Sequence, residues 1–62
     1  MSVIDVLMYV DSETVVKIYD KDGKLVRRGK AIRMLMNRHD ISWLFVKTIK
    51  AENSEIIITI DD

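Results

Sequence analysis

The six residues EIIITI at positions 55–60 place isoleucine on both sides of the strand that they predict. Ile56, Ile58 and Ile60 share one side of such a strand, and Ile57 lies on the other. A sheet that is covered on one side only shows strict alternation of apolar and polar residues, and this segment does not. A chain of 62 residues has little other material with which to cover a second apolar face. The sequence therefore predicts a small sheet that needs cover on its far side.

Turn residues mark the ends of the other strands. Asp22-Gly23 is a pair that tolerates positive φ, and it predicts a tight hairpin turn. The polar segment AENS, residues 51–54, predicts a second turn. The strands predicted around these two turns span residues 14–20, 24–28, 43–50 and 55–60.

Two short helices are predicted, one from capping and one from periodicity. Ser2 and Asp5 have the spacing of a capping box, which predicts a helix over residues 3–10. The β-branched residues of this segment leave a short strand as the alternative. Further along, the apolar period changes from two to nearly four, which predicts a helix over residues 30–39. We expect the core side of the second helix to hold Ile32, Leu35, Met36 and His39, flanked by Ala31 and Met34.

The element order predicts one domain over residues 1–62, because no linker or repeat divides the chain. The order is α-β-β-α-β-β, which is typical of the α+β class. We expect a four-stranded, mainly antiparallel sheet with both helices on one face.

Chains of this length commonly need a disulfide, a metal or a partner subunit to be stable. The chain has no cysteine and one histidine, and its acids are scattered, so we expect no metal site and no cofactor. A two-fold homodimer that packs sheet against sheet is the predicted source of cover. The alternative is that strand twist and loops shield the same side chains within one chain. The residues predicted at the dimer interface are Tyr19, Trp43, Phe45, Ile49 and Ile57.

The segment of residues 24–38 holds six basic side chains and no acid, in a chain whose formal net charge is zero. Such a block indicates either a surface for a phosphate backbone or a solvated face paired with nearby acids. Strand alternation sends Arg27 and Arg28 to opposite sides, and no recognition helix or RNA-binding motif accompanies the block. We therefore favour the solvated face. The acids expected as its partners include Asp20, Asp22 and Glu55. The candidate contact residues for a macromolecular partner are Arg27, Arg28, Lys30, Arg33 and Arg38.

No pattern of residues predicts catalysis. The sequence contains no paired nucleophile and base and no phosphate loop, and its serines fall at predicted caps and turns. We expect His39 to be a histidine at a helix end, partly packed over the core, and not a general base. Asp61 and Asp62 are interpreted as charged residues that hinder aggregation of the adjacent strand. No apolar run reaches the roughly 18 residues that a membrane span needs, and the N-terminus lacks the features of a signal peptide, so we expect a cytoplasmic protein.

The N-terminal half of the chain carries three short motifs. Val3–Leu7 has the form of a V-x-D-L-L helix, and Thr14–Asp20 has the form T-x-V-x-I-x-D. A third motif, D-G-K-x-x-x-x-G-x-A, is matched at Asp22, Gly23, Lys24, Gly29 and Ala31. In these motifs the chain resembles small uncharacterised proteins carried by phages and mobile elements of Gram-positive bacteria.

The resemblance implies a phage or mobile-element accessory protein without implying a particular activity. By analogy with other very small phage proteins, it suggests binding and modulation of a host macromolecule, as anti-defence and anti-CRISPR inhibitors do. The function expected from the sequence is thus a non-enzymatic protein-interaction module. The alternative is a nucleic-acid-binding accessory protein that uses the basic block.

Overall fold

A computed structural model describes residues 1–61. Asp62, one of the two acids predicted to hinder aggregation, lies outside the described residues. The fold is a small α+β domain in the predicted order α-β-β-α-β-β, and residues 3–9 form a helix and not a strand. The helices are α1 (Val3–Tyr9) and α2 (Ala31–Met36), and a 3₁₀ helix (Arg38–Asp40) follows α2. The strands are β1 (Val15–Tyr19), β2 (Leu25–Lys30), β3 (Val46–Glu52) and β4 (Glu55–Ile60). Neither α1 nor α2 has the length and apolar character that would carry it across a membrane.

The predicted capping box starts α1. The Ser2 hydroxyl accepts a hydrogen bond from the Asp5 backbone N–H at 3.2 Å, and the Asp5 carboxylate accepts one from the Ser2 N–H at 3.1 Å. Both bonds satisfy donors that the first turn of a helix otherwise leaves unpaired. The helix ends at Tyr9, because Val10 is extended.

The two hairpins have different loops. In the first, the Gly23 N–H donates to the Asp20 carbonyl at 3.0 Å and the Asp20 N–H donates to the Lys24 carbonyl at 2.9 Å, with Gly23 at φ 82. This is a three-residue loop with its glycine in the left-handed region, as the Asp-Gly pair predicts. In the second, Asn53 and Ser54 both have positive φ, at 51 and 65. A two-residue loop of this kind is shorter than the predicted turn, so β3 continues to Glu52.

The sheet is mixed, and the prediction of a mainly antiparallel sheet is wrong. The strand order is β2-β1-β4-β3. Each hairpin is antiparallel, but the two hairpins join through β1 and β4, which run parallel. β1 and β4 are the two central strands, and each has apolar residues on both of its sides. The hairpin turns are local, whereas the direction in which the hairpins meet depends on the connection through α2.

One side of the sheet faces the core. Val16 and Ile18 of β1 and Ile58 and Ile60 of β4 are almost completely inaccessible to solvent. The cluster that they form also includes Val3, Val6, Leu7, Ala31, Met34, Ile41 and Leu44. The opposite side of β1 and β4 holds no buried side chain. We call that side the open sheet face.

Helix α2 is shorter than predicted and presents a different side to the core. Ala31 and Met34 are buried, whereas Ile32 and Met36, which were predicted to be buried, are exposed. The helix follows β2 without a loop, and its first N–H groups donate to carbonyls before β1: Ala31 to Thr14 at 2.9 Å, and Ile32 to Ser12 at 3.0 Å. These bonds determine how the helix is rotated about its axis, and they connect residues far apart in sequence.

The prediction for His39 is also wrong. It lies in the 3₁₀ helix beyond α2, with its side chain 83% exposed. The backbone leaves the α-helical path at Asn37, so the periodicity that placed His39 on the core side does not extend to it.

Candidate interaction surfaces

Two aromatic side chains project from the segment before β3. Trp43 is 61% exposed and Phe45 is 62% exposed, while Leu44 between them is buried. Trp43 belongs to the turn of residues 41–44 that leads into β3, and Phe45 follows that turn. Phe45 also pairs with Ser2 across an antiparallel bridge, which brings the exposed Met1 to the same part of the molecule. We call Met1, Trp43 and Phe45 the aromatic corner.

Backbone hydrogen bonds hold the aromatic corner in place. The Val3 N–H donates to the Leu44 carbonyl at 3.0 Å, and the Val46 N–H donates to the Met1 carbonyl at 2.8 Å. The Leu44 N–H donates to the Ile41 carbonyl at 3.1 Å. The two aromatic residues therefore sit on an ordered backbone, which lowers the entropic cost of their burial by a partner.

Helix α2 adds a second exposed apolar surface. Ile32 and Met36 are four residues apart and so lie on one side of the helix, and Met36 is 74% exposed. Arg33 and Arg38 are exposed nearby in sequence, and within residues 1–61 neither belongs to an ion pair. We call Ile32, Arg33, Met36 and Arg38 the α2 stripe.

The basic block of residues 24–38 is divided between the two sides of the sheet. Arg27 lies opposite Ile18 on the core side, whereas Arg28 lies opposite Lys17 on the open face, as strand alternation predicts. Two members of the block are paired with acids elsewhere in the chain. Arg27 binds Asp40 at 2.8 Å, and Lys30 binds Glu13 at 2.9 Å.

These partners differ from the predicted ones. The Asp20 carboxylate accepts the N–H groups of Asp22 and Lys24 in the hairpin loop, each at 2.9 Å, and so caps that loop. Glu55 binds Lys17 at 3.0 Å, and Lys17 lies outside the block. Arg27 lies in β2 and Asp40 lies in the 3₁₀ helix, thirteen residues later in the chain. Proximity in sequence therefore could not identify this ion pair.

Asp40 is the acid whose titration this arrangement changes. The hydrogen bond from the Arg27 guanidinium lowers the pKa of the Asp40 carboxyl below its ordinary value of 3.8, and the positive charge of His39 at 3.4 Å adds to that effect. The pair is exposed to solvent, so water screens much of the interaction. Asp40 thus fastens the 3₁₀ helix to the edge strand β2.

The open sheet face has a row of side chains that crosses all four strands. Arg28 lies opposite Lys17, Lys17 lies beside Ile57, and Ile57 lies beside Lys50. Three of the four members of this row are cationic. The face is therefore amphipathic, with cationic side chains beside the apolar ones for which cover was predicted.

The five residues predicted at a dimer interface lie in three places. Tyr19 and Ile57 are on the open face, and Ile49 lies opposite Ile58 on the core side of the edge strand β3. Trp43 and Phe45 precede β3. No single flat surface joins all five, and their part in a dimer stays a prediction.

Helix α1 carries exposed side chains that were not predicted from the sequence. Met8 and Tyr9 are exposed at the end of this helix, and Tyr9 is 92% exposed. The signal was available, because a helix that begins at Val3 buries Val3, Val6 and Leu7 and turns residues 8 and 9 away.

Within residues 1–61 no cavity and no group of three or more potential metal ligands is found. Comparison of the chain with family models, with curated proteins and with solved structures finds no match. The likeness of residues 3–31 to phage-borne proteins accordingly stays a prediction.

Proposed function

We propose that this protein is a non-enzymatic protein-interaction module that binds a macromolecular partner through two exposed surfaces, the aromatic corner and the α2 stripe. The observation that carries the proposal is the exposure of Trp43 and Phe45 on a hydrogen-bonded backbone. Aromatic residues on ordered segments are the side chains that most often dominate the energy of protein interfaces.

Burial of these side chains supplies a driving force for association. Removal of a large apolar side chain from water is worth roughly 1.5–3 kcal/mol. The aromatic corner offers Trp43, Phe45 and Met1, and the α2 stripe adds Met36, which is flexible enough to fit an irregular partner. Arg33, which has no ion-pair partner within residues 1–61, supplies a cation for an acidic rim on the partner.

The proposal places α1 and α2 on the same side of the sheet. It is supported by the core cluster, which takes Val6 and Leu7 from α1 and Met34 from α2, together with Val16 and Ile58 from the sheet. Helices arranged in this way leave the open sheet face free of the chain's own elements.

Two partners are proposed for the aromatic corner. The resemblance of residues 3–31 to phage-borne proteins supports a host protein that the module would modulate. A second copy of the chain is the partner in the proposed homodimer, and the dimer contact is now assigned to Trp43 and Phe45 instead of the sheet, because the open face carries charged side chains.

A comparative pull-down tests the proposal. Tagged wild-type protein and the variant Trp43→Ala/Phe45→Ala are used to capture proteins from a lysate of a Gram-positive bacterium, with quantification by mass spectrometry. The control is Leu25→Ala/Val26→Ala, which removes two exposed apolar side chains from the edge strand β2. We expect a captured protein that the corner variant loses and the control retains, with unchanged circular dichroism spectra. Capture by all three proteins alike would show that the aromatic corner is not the binding surface.

The use of residues 24–38 as one nucleic-acid surface has less support. Arg27 and Lys30 are paired with acids, and Arg27 and Arg28 lie on opposite sides of β2. The block is therefore not one surface.

A further inference from the structure

Two cations face each other on the open sheet face. Lys17 of β1 lies directly opposite Arg28 of β2 in an antiparallel pair. Like charges in this arrangement destabilise a sheet. Lys17 has an acidic partner in Glu55, whereas Arg28 has none within residues 1–61, so the charge of Arg28 is the one left without compensation.

The cationic row extends the pair across the whole sheet. Ile57 of the central strand β4 lies beside Lys17 on one edge and Lys50 on the other. Three strand spacings make the row about 14 Å long. Its three cations come from three different strands, and Lys17 and Lys50 lie outside the basic block of residues 24–38.

A row of hydroxyl groups runs parallel to the cations. Tyr19, Thr59 and Thr48 lie beside one another across β1, β4 and β3, each two residues along its strand from a member of the cationic row. Two residues along a strand correspond to about 7 Å. Hydroxyl groups donate hydrogen bonds to phosphate oxygens, and a tyrosine ring offers a flat surface on which a base can stack.

Two acids of this face, Glu55 and Glu52, lie next to the cationic row on the side away from the hydroxyl row. Glu55 binds Lys17 at 3.0 Å and Glu52 approaches Lys50 at 3.5 Å, both at the far ends of the strands from the hydroxyl row. The Lys50–Glu52 pair is exposed and contributes little, so an added phosphate can compete for Lys50, whereas the Lys17–Glu55 pair is half-buried. Arg28 belongs to no ion pair among the residues that the structure describes.

The charge of the face argues against a second copy of the chain as its occupant. Two such faces packed about a two-fold axis would bring their cationic rows together and remove them from water. An anionic polymer has the complementary charge. Duplex DNA is a poorer fit, because the face offers no helix or strand pair that could enter a groove, whereas an unstacked base can reach Tyr19.

We propose that the open sheet face binds single-stranded nucleic acid, with Arg28, Lys17 and Lys50 at the phosphates and Tyr19 stacked on a base. This surface shares no residue with the aromatic corner or the α2 stripe. The outcome of a nucleic-acid-binding test is therefore independent of the protein-binding proposal.

Fluorescence anisotropy with labelled oligothymidylate and oligouridylate of about 12 nucleotides tests the proposal, since sheet-based platforms cover roughly 4–16 nucleotides. The test variant is Lys17→Gln/Arg28→Gln. The matched control is Lys24→Gln/Arg38→Gln, which removes two exposed charges of the basic block from outside the row.

We expect the test variant to bind about tenfold more weakly at low salt and the control to bind within about twofold of wild type. The slope of log affinity against log salt concentration should be less steep for the test variant, by an amount that corresponds to about two phosphate contacts. Tyr19→Leu should weaken binding about tenfold, and Tyr19→Phe, which keeps the ring, should restore most of it.

Folding is monitored separately with Arg28→Gln, which breaks no ion pair within residues 1–61 and relieves the repulsion with Lys17. Its thermal midpoint should equal or exceed that of wild type. An absence of binding at low salt, equal losses in the test and control variants, or equal affinity for a duplex of the same length would each overturn the proposal.

Discussion

Ser54 holds a backbone conformation that residues with a side chain seldom adopt. Its φ is 65, and it occupies the second central position of the loop between β3 and β4. Asn53, at φ 51, is suited to such a position, but the second position of this loop type favours glycine. The backbone strain is confined to this loop. The sequence AENS predicts a turn but does not identify Ser54 as the strained residue.

The substitution Ser54→Gly is expected to stabilise the protein by about 0.5–1 kcal/mol, because the left-handed conformation costs a side-chain residue more than it costs glycine. Urea unfolding followed by circular dichroism measures the change.

The opposite substitution at the other hairpin is the control. Gly23→Ala should destabilise the protein by about 1 kcal/mol, because φ is 82 there and nothing within 4 Å of the new methyl group adds a clash. A stabilising effect of Gly23→Ala would contradict the assigned loop geometry.

The ion pair between Asp40 and Arg27 gives a prediction about pH. The folded-state pKa of Asp40 lies below its ordinary value of 3.8. The pair therefore stabilises the fold at pH values above that value, and its contribution is lost as the pH falls from 3.8 through the lower folded-state pKa. The variant Asp40→Asn should differ from wild type in free energy of unfolding at neutral pH, and the difference should shrink over that acid interval.

Chemical denaturation at a series of pH values measures this difference. Asp22→Asn provides the comparison, because Asp22 is exposed and its carboxylate takes part in no ion pair within residues 1–61. A difference between Asp40→Asn and wild type that stays constant down to the acid end of the series would rule out the assigned role.

At the scale of an element, α2 shows how tertiary contacts decide which side of a helix is buried. Periodicity alone groups Ile32, Leu35 and Met36, and the structure instead buries Ala31 and Met34. In a helix of six residues, two hydrogen bonds from its first N–H groups outweigh the small difference between two possible apolar stripes.

The same substitution at two positions of α2 separates these alternatives. Met34→Ala is expected to cost about 2–5 kcal/mol, because Met34 is only 3% exposed and the cavity cannot fill completely. Met36→Ala is expected to change stability by less than about 0.5 kcal/mol, because Met36 is exposed.

Denaturant unfolding measures both variants, and failure of Met34→Ala to fold would support the same conclusion. Equal effects, or a larger loss for Met36→Ala, would restore the orientation of α2 that periodicity predicts.

At the scale of the whole molecule, the arrangement of strands decides which side chains need a partner. The open face carries several charged residues, and the large apolar side chains with the greatest exposure lie outside the sheet, at the aromatic corner, on α1 and on α2. Exposed apolar side chains are present, but most of them lie at other places than the far side of the sheet, and their cover by a partner stays a prediction.

We expect a homodimer at micromolar concentration that forms through the aromatic corner. Sedimentation velocity should show a dimer for wild type and for Arg28→Gln, and a monomer for Trp43→Ala/Phe45→Ala, because the latter removes most of the apolar area that association would bury. A monomeric wild-type protein at that concentration would contradict the expectation. If Arg28→Gln were monomeric while Trp43→Ala/Phe45→Ala stayed dimeric, the interface would lie on the sheet and not at the aromatic corner.

Much of the fold could be predicted because it depends on neighbours in the chain. The Ser2–Asp5 cap, the turn at Gly23 and the whole of β4 follow from residues within a few positions of one another. The exposure of Trp43 and Phe45 was expected as part of a sheet face, and the structure places them before β3 because Leu44 and Val46 pair with residues 1–3.

The sequence by itself determined the order of elements, the helix cap and the two hairpins, because each is set by backbone preferences and hydrogen bonds over a few residues. Tertiary structure alone decided the parallel contact of β1 with β4, the rotation of α2 and the meeting of Arg27 with Asp40. The same is true of the cationic row, whose three cations come from three strands. These features join residues far apart in the chain, and many pairings of such residues are compatible with one local pattern until the core is packed.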